Sequence, residues 1–132
     1  MVEVGIIIHF CGGLVRLDGQ RLYDHYFFGV RYDKYVHLIN AAFVTAFVAR
    51  VYRSRGGALD GFGRFFVLLI VLGLGAIIEI AEYLVMLTIK NNGVGGYDNN
   101  MQDLIANLCG GLLVASTVDR GQKDAPSDRP PP

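Results

Sequence analysis

The sequence predicts an all-α membrane protein: a multi-pass transmembrane helical bundle with three full spans and a short N-terminal membrane segment. The 132 residues are 52% hydrophobic and 18% charged, with a positive mean hydropathy. An apolar run of 25 residues extends from Phe65 to Ile89, and ~18 apolar residues are enough to cross a hydrocarbon core of ~30 Å. The charged residues cluster between apolar stretches, which is unlike a soluble domain of this size.

The first element, residues 2–15, is apolar apart from Glu3 and His9 but shorter than the ~17 residues that a span needs. It has neither a positively charged start nor a small-residue cleavage site, so it does not resemble a signal peptide. We expect a truncated or re-entrant membrane segment. Residues 16–34 follow as a polar, tyrosine-rich connection, a composition suited to the headgroup layer.

Residues 35–52, 65–89 and 101–118 form the three predicted spans. Residues 119–132 end in three prolines and should form a disordered tail behind a membrane domain of residues 1–118. The second loop, between the second and third segments, is rich in arginine, and arginines also follow the fourth segment. This distribution favours a cytoplasmic location for the second loop and the tail. Against this orientation, the first connection is also basic.

Two glutamates, Glu79 and Glu82, are the only charged residues in the run 65–89. A carboxylate at such a depth costs ~2.5–3.5 kcal/mol on insertion scales, so it requires a partner or a function. Residues three apart share one face of a helix. The pair therefore predicts a functional site inside the membrane domain.

Further polar residues occur at a similar level. Alternation of the spans puts the starts of the second and fourth segments and the end of the third on one side of the membrane. The polar residues near these ends are Asp33, His37, Glu79, Glu82, Asp98, Asp103 and Asn107. At ~1.5 Å per residue their depths agree within about 10 Å, and His9 falls at a similar depth. Because i,i+3 and i,i+4 neighbours form single stripes, we predict a polar pocket that opens to one leaflet.

Several motifs resemble a known family. They are Arg31-Tyr32-Asp33-Lys34-Tyr35-Val36-His37, the pair Glu79 and Glu82, and Asp103-Leu104-Ile105-Ala106-Asn107 followed by Gly110 and Gly111. Residues 6–118 resemble the YjdF-type inner-membrane proteins, relatives of the VanZ-like family. The resemblance implies a bacterial cytoplasmic membrane and a role in the envelope, where some VanZ-like proteins are associated with glycopeptide resistance. Such proteins usually have additional helices before the first histidine, so we expect a misassigned start or a shortened member.

Three functions of different classes fit these residues. In an enzyme acting on a lipid-linked envelope substrate, Glu79 and Glu82 would be acid and base, His37 a ligand or proton carrier, and Asp103 and Asn107 orienting groups. A divalent cation such as Mg, Mn, Fe or Zn is a possible cofactor. Its hypothetical ligands are Asp33, His37, Glu79, Glu82 and Asp103. In a transporter the same groups would form a proton or cation relay. In an accessory membrane protein they would only join helices.

The remaining features have simpler interpretations. Asp98 suits a loop or a helix N-cap, and Asn107 could bridge helices, a use worth only ~0.6 kcal/mol on average. Cys11 and Cys109 lie in apolar segments, where reduced packing residues are expected. The net charge of zero makes nucleic acid an unexpected partner. The expected partners are the lipid bilayer and, because so few helices gain from self-association, further copies of the chain.

Overall fold

A computed structural model describes residues 2–90 and 95–118 of the chain. Four helices make up most of this part: α1 (Val2–Leu14), α2 (Tyr32–Ser54), α3 (Gly61–Thr88) and α4 (Tyr97–Ala115). The fold is therefore mostly helical, as the sequence predicted. The tail that the sequence predicts to be disordered lies outside the described residues.

Two small β-hairpins connect α1 to α2. The first pairs β1 (Arg16–Leu17) with β2 (Gln20–Arg21), the second pairs β3 (Tyr26–Phe27) with β4 (Val30–Arg31), and a 3-10 turn (Leu22–Asp24) lies between them. Both turns have positive φ angles at their two central residues, 50° and 81° at Asp18-Gly19 and 52° and 78° at Phe28-Gly29. This is the conformation of tight type I′ hairpins. The polar connection is thus an ordered cap rather than an irregular loop.

Two helices of the described chain, α2 and α3, are long and apolar enough to cross a membrane. In the 18-residue apolar stretch of each helix, only 22% is buried. The core helix of a soluble protein would be mostly buried. Ile77 and Ile80 of α3, for example, are 64% and 59% exposed. An apolar surface of this kind requires a nonpolar solvent, and a bilayer supplies one.

The helix boundaries differ from the predicted ones in ways that matter for the site. The second helix begins at Tyr32 instead of residue 35, so Lys34 belongs to its first turn. The fourth helix is 19 residues long and begins at Tyr97, and its polar first turns keep it outside the two candidate spans. The third helix is extended at its start because the side chain of Asp60 accepts a 2.8 Å hydrogen bond from the backbone N–H of Gly63, which caps the helix.

Helix α2 packs against the other three helices, and α3 also packs against α4. Small residues permit the closest approaches. A Cβ atom added at Gly110 of α4 would overlap the backbone carbonyl oxygen of Leu38 in α2. One added at Gly75 of α3 would lie 2.9 Å from the amide nitrogen of Asn107. Glycine at these positions brings α2, α3 and α4 close together beside the polar residues.

Candidate active site at the end of the bundle

Most of the buried polar side chains of the described chain lie at one end of the bundle, where α2 and α4 begin and α3 ends. They are Asp33, Lys34, Glu79, Asn100, Asp103 and Asn107, each at most 7% exposed. Buried polar and charged groups are costly unless they are paired with one another or with a ligand. The contacts within this cluster therefore define the candidate site.

The ring of His37 lies between two carboxylates from different helices. Its Nδ1 atom is 3.6 Å from Oε1 of Glu79 in α3, and its Nε2 atom is 3.5 Å from Oδ1 of Asp103 in α4. These distances are longer than ordinary hydrogen bonds. One ring nitrogen of His37 and one carboxylate oxygen each of Glu79 and Asp103 nevertheless lie within 4.8 Å of one another. The His37 imidazole, near the start of α2, thus has Glu79 on one side and Asp103 on the other.

A buried lysine offsets part of this negative charge. The Nζ atom of Lys34 donates to Oδ1 of Asp103 at 2.7 Å and to Oδ2 of Asp33 at 3.2 Å. It also lies 2.8 Å from the side-chain oxygen of Asn99 and 3.1 Å from its backbone oxygen. The Asn99 amide in turn donates to Oδ2 of Asp103 at 2.8 Å. Asp103 is therefore fully engaged by groups from α2 and α4.

Glu79 differs from Asp103 in this respect. It is 4% exposed, yet neither of its carboxylate oxygens has a hydrogen-bond partner within the described part of the chain. The nearby Asn100 side chain donates to the backbone oxygen of Glu79 at 3.2 Å and not to its carboxylate. A buried acceptor without a partner costs about 1–3 kcal/mol, and more if it is charged. Glu79 is thus the buried acid of the site whose hydrogen-bonding capacity the described residues leave unused.

A polar pocket of about 230 Å³ adjoins His37. Its lining includes His37, Glu82, Asp103 and the guanidinium groups of Arg21 and Arg31. Arg31 contacts Asp33 at 3.0 Å and Asp24 at 3.4 Å through Nη2, while its buried Nε atom has no hydrogen-bond partner among the described residues. The pocket therefore combines acids, imidazoles and guanidinium groups, which are the groups that proteins use for acid–base work and for binding anions.

Helix α1 contributes a second imidazole to this pocket, that of His9, and the hairpin cap contributes Tyr23. The hydroxyl of Tyr23 lies 2.7 Å from Nδ1 of His9 and 2.8 Å from the His9 backbone oxygen. Burial, together with the nearby charge of Glu82, raises the pKa of the Tyr23 phenol. Tyr23 therefore keeps its proton at neutral pH and can donate it in one of these hydrogen bonds.

The other residues singled out in the sequence occupy different positions. Glu82 is half-buried in the wall of the polar pocket, and Asp33 is paired with Arg31 and Lys34. Asn107 is buried one turn beyond Asp103, where it packs against Gly75. Asp98 is exposed in the first turn of α4 and is absent from the polar pocket's lining. His37, Glu79 and Asp103 are thus the predicted residues in closest mutual contact.

A second cavity, here termed the apolar groove, lies between α3 and α4 and has a volume of about 460 Å³. Its apolar and aromatic lining consists of Ala76, Ile80 and Tyr83 from α3 and Tyr97, Met101 and Leu104 from α4. Glu79 and Asn100 complete the lining. Because the Glu79 carboxylate also contacts His37, this side chain links the apolar groove to the residues of the polar pocket.

Sequence reasoning missed Lys34, Arg31 and Asn99 as members of the site. The sequence places Lys34 in the basic first connection and in the family motif, without a role in the site, because the predicted span begins at the next residue. A usable signal was present, since a lysine beside a membrane helix whose neighbours carry acids is a candidate ion-pair partner. Nothing comparable marked Asn99, whose role depends on the early start of α4.

Comparisons with known proteins identify a family and nothing finer. A family model described as "Predicted membrane protein (DUF2238)" matches residues 1–124. No curated protein and no solved structure matches the chain.

Proposed function

Because the chain belongs to this DUF2238 family of predicted membrane proteins, we propose that it is a membrane enzyme of the YjdF type, related to VanZ-like proteins. Its carboxylates and histidine act as general acid and base on a lipid-linked envelope substrate. The observation that carries the proposal is the position of the His37 ring between Glu79 and Asp103, at 3.6 and 3.5 Å. Imidazole and carboxylate are the usual groups in such chemistry.

In this proposal the protein lies in the bacterial cytoplasmic membrane as a multi-pass protein. Helices α2, α3 and α4 cross the bilayer, and α1 enters it only partly. The arginines around the α2–α3 loop favour a cytoplasmic location for that end, which puts the site at the outer leaflet. Self-association of the bundle would cover lipid-facing helix surfaces.

Each acidic or basic group then has a separate task. Glu79, whose carboxylate has no hydrogen-bond partner among the described residues, accepts a proton from a hydroxyl group of the reacting lipid or co-substrate. His37, 3.6 Å away, exchanges a proton with Glu79 and carries it to the polar pocket. Asp103 is held by Lys34 and fixes the orientation of the ring. Arg31 and Arg21 contribute positive charge for an anionic headgroup.

A second candidate function is divalent cation binding, and one observation favours it. Donor atoms of His37, Glu79 and Asp103 lie within 4.8 Å of one another, and a nitrogen with two carboxylate oxygens suits Mg, Mn, Fe or Zn. The Lys34 ammonium, 2.7 Å from the Asp103 oxygen, competes with a cation at this position. This competition ranks cation binding below acid–base chemistry.

Transport is supported less well. In the described chain, Thr45 is the one buried polar side chain that lies toward the opposite end of the bundle, and its hydroxyl donates to the Ala41 carbonyl of its own helix at 2.7 Å. A relay needs polar groups along the whole path. A pocket at one end therefore favours a substrate site over a channel.

The proposal is tested with membranes that contain the wild-type protein, the Glu79→Gln variant or the Asp98→Asn variant. Each sample is incubated with a bacterial lipid extract, and its lipids are followed by mass spectrometry. We expect one lipid species to be consumed by the wild type and by Asp98→Asn, whose exposed side chain is outside the site, and to be untouched by Glu79→Gln. Equal turnover by Glu79→Gln would overturn the proposal.

A further inference from the structure

The apolar groove between α3 and α4 has the dimensions of a ligand site. Its volume of about 460 Å³ lies within the ~300–1,000 Å³ that small-molecule pockets usually have. It is open toward the side of the bundle, because Ile80, Tyr83 and Tyr97 in its wall are 59%, 45% and 70% exposed. In a membrane this side faces the acyl chains of the bilayer, so a ligand can enter directly from the lipid.

The polarity of the groove changes along its length. Tyr83 and Tyr97 lie toward the end of the bundle, as aromatic residues at a membrane interface do. Ala76 and Leu104 lie deeper, and the seven residue steps from Ala76 to Tyr83 span about 10 Å of helix. Between these two levels the groove reaches Glu79, whose buried carboxylate has no hydrogen-bond partner among the described residues. The groove is therefore an apolar channel whose wall includes one acidic residue with a buried, unpaired carboxylate.

We propose that the apolar groove holds an alkyl chain of the substrate lipid, while a hydroxyl or ammonium donor at the polar end of that lipid binds the Glu79 carboxylate. The chain runs inward past Ala76 and Leu104, parallel to the other chains of the leaflet. This inference rests on the proposed function, since the occupant is the lipid on which the site acts. It explains why an acid of the polar site also lines an apolar cavity.

The natural sequence has no tryptophan, so a single reporter can be introduced at the mouth of the groove. The Tyr83→Trp variant is reconstituted in phosphatidylcholine vesicles, and its fluorescence is quenched with 3-bromoundecan-1-ol, 3-bromoundecan-1-amine or 3-bromoundecane, whose bromine lies close to the end of the chain that would meet Glu79. The matched control is Ile77→Trp, because Ile77 lies on the same helix, is 64% exposed and is absent from the groove lining. Its quenching measures simple partition of the probe into the bilayer.

We expect saturable quenching of the Tyr83→Trp reporter by the alcohol, the amine or both, and quenching of the control that rises only linearly. The arm with the tighter binding identifies the donor as hydroxyl or ammonium. The alkane should bind at least about tenfold more weakly, because it cannot bond to a charged acceptor. In a Glu79→Leu background this difference should disappear.

Filling the groove should abolish the saturable phase. Ala76→Phe and Leu104→Phe each fill the groove and are introduced separately into the reporter protein. If one variant fails to fold, the other still provides the test. Ile78→Phe, at a 54% exposed position outside the groove lining, should have no effect. Linear quenching of the Tyr83→Trp reporter, or saturation that survives both filled variants, would overturn the inference.

The result is separable from that of the proposed function. His37→Gln should abolish turnover and leave the saturable quenching unchanged. Saturable quenching in a protein without turnover would leave the groove assignment standing and remove the acid–base proposal. Turnover without saturable quenching would remove the groove assignment and leave the acid–base proposal standing.

Discussion

The ammonium group of Lys34 lies 2.7 Å from Oδ1 of Asp103 and so joins the first turn of α2 to the second turn of α4. Their side chains are 8% and 1% exposed. With Asp103 paired in this way, the Glu79 carboxylate is left as the buried acid of the site without a hydrogen-bond partner among the described residues. The division of roles between a paired acid and an unpaired acid underlies the following predictions.

Replacing Lys34 by Met should strongly destabilise the protein, because it leaves Asp103 buried without its ammonium partner. Removing one partner of a buried ion pair costs about 3–5 kcal/mol. The measurement is thermal unfolding in detergent, with Lys90→Met as the control for loss of an exposed lysine. A Lys34→Met, Asp103→Leu double variant should recover much of the loss, and failure of the single change to lower the melting temperature would show that the pair is not formed.

Replacing Glu79 by Gln should abolish activity while stability stays equal or rises. The carboxylate has no hydrogen-bond partner within the described chain, so removing its charge relieves a desolvation cost rather than a bond. Turnover and melting temperature are measured on the same preparation. A stable variant with full activity would support the purely structural interpretation, in which the acid only joins helices.

Glycine at position 110 should be required for the contact between α4 and α2. A Cβ atom there would overlap the Leu38 carbonyl oxygen, so Gly110→Ala should lower stability by about 1–3 kcal/mol. Gly73→Ala is the matched control, since its Cβ would meet no heavy atom of the described residues within 4 Å, and it should gain up to about 1 kcal/mol of helix propensity. Equal effects of the two substitutions would contradict this packing.

If the second candidate function holds, the purified protein should bind about one divalent cation per chain. His37→Ala should lose it, whereas His25→Ala should keep it, because His25 binds the Leu17 backbone oxygen in the hairpin cap. Elemental analysis after dialysis against trace metals provides the measurement. Identical metal content in the wild type and His37→Ala would remove cation binding from consideration.

Part of this architecture follows from sequence and part does not. Apolar run length predicts α3 well, because a long span depends on local composition. The sequence predicts three full spans, whereas two helices of the described chain are long and apolar enough to cross a membrane. Alternation and helical spacing led us to expect Glu79, His37 and Asp103 at one level, since both depend only on residue number.

The remaining features depend on tertiary contacts. Lys34 is buried because α2 starts early and meets Asn99 and Asp103 across a separation of more than 60 residues, which no local pattern encodes. The first hairpin had a local signal in Asp18-Gly19, but Phe28-Gly29 did not, because phenylalanine rarely adopts positive φ. The apolar groove arises from the shapes of two helices together and is invisible in either sequence segment.

The central claim is that the acids of α3 and α4 meet His37 of α2, and cysteine cross-linking tests it most directly. In a background with Cys11 and Cys109 replaced by Ala, and with a protease site in the α2–α3 loop, His37→Cys is combined with Glu79→Cys or with Ile77→Cys. A short thiol cross-linker should hold the cleaved fragments together in the first pair and not in the second, whose Ile77 side chain is 64% exposed. Efficient cross-linking of the Ile77 pair, with none for the Glu79 pair, would contradict the account.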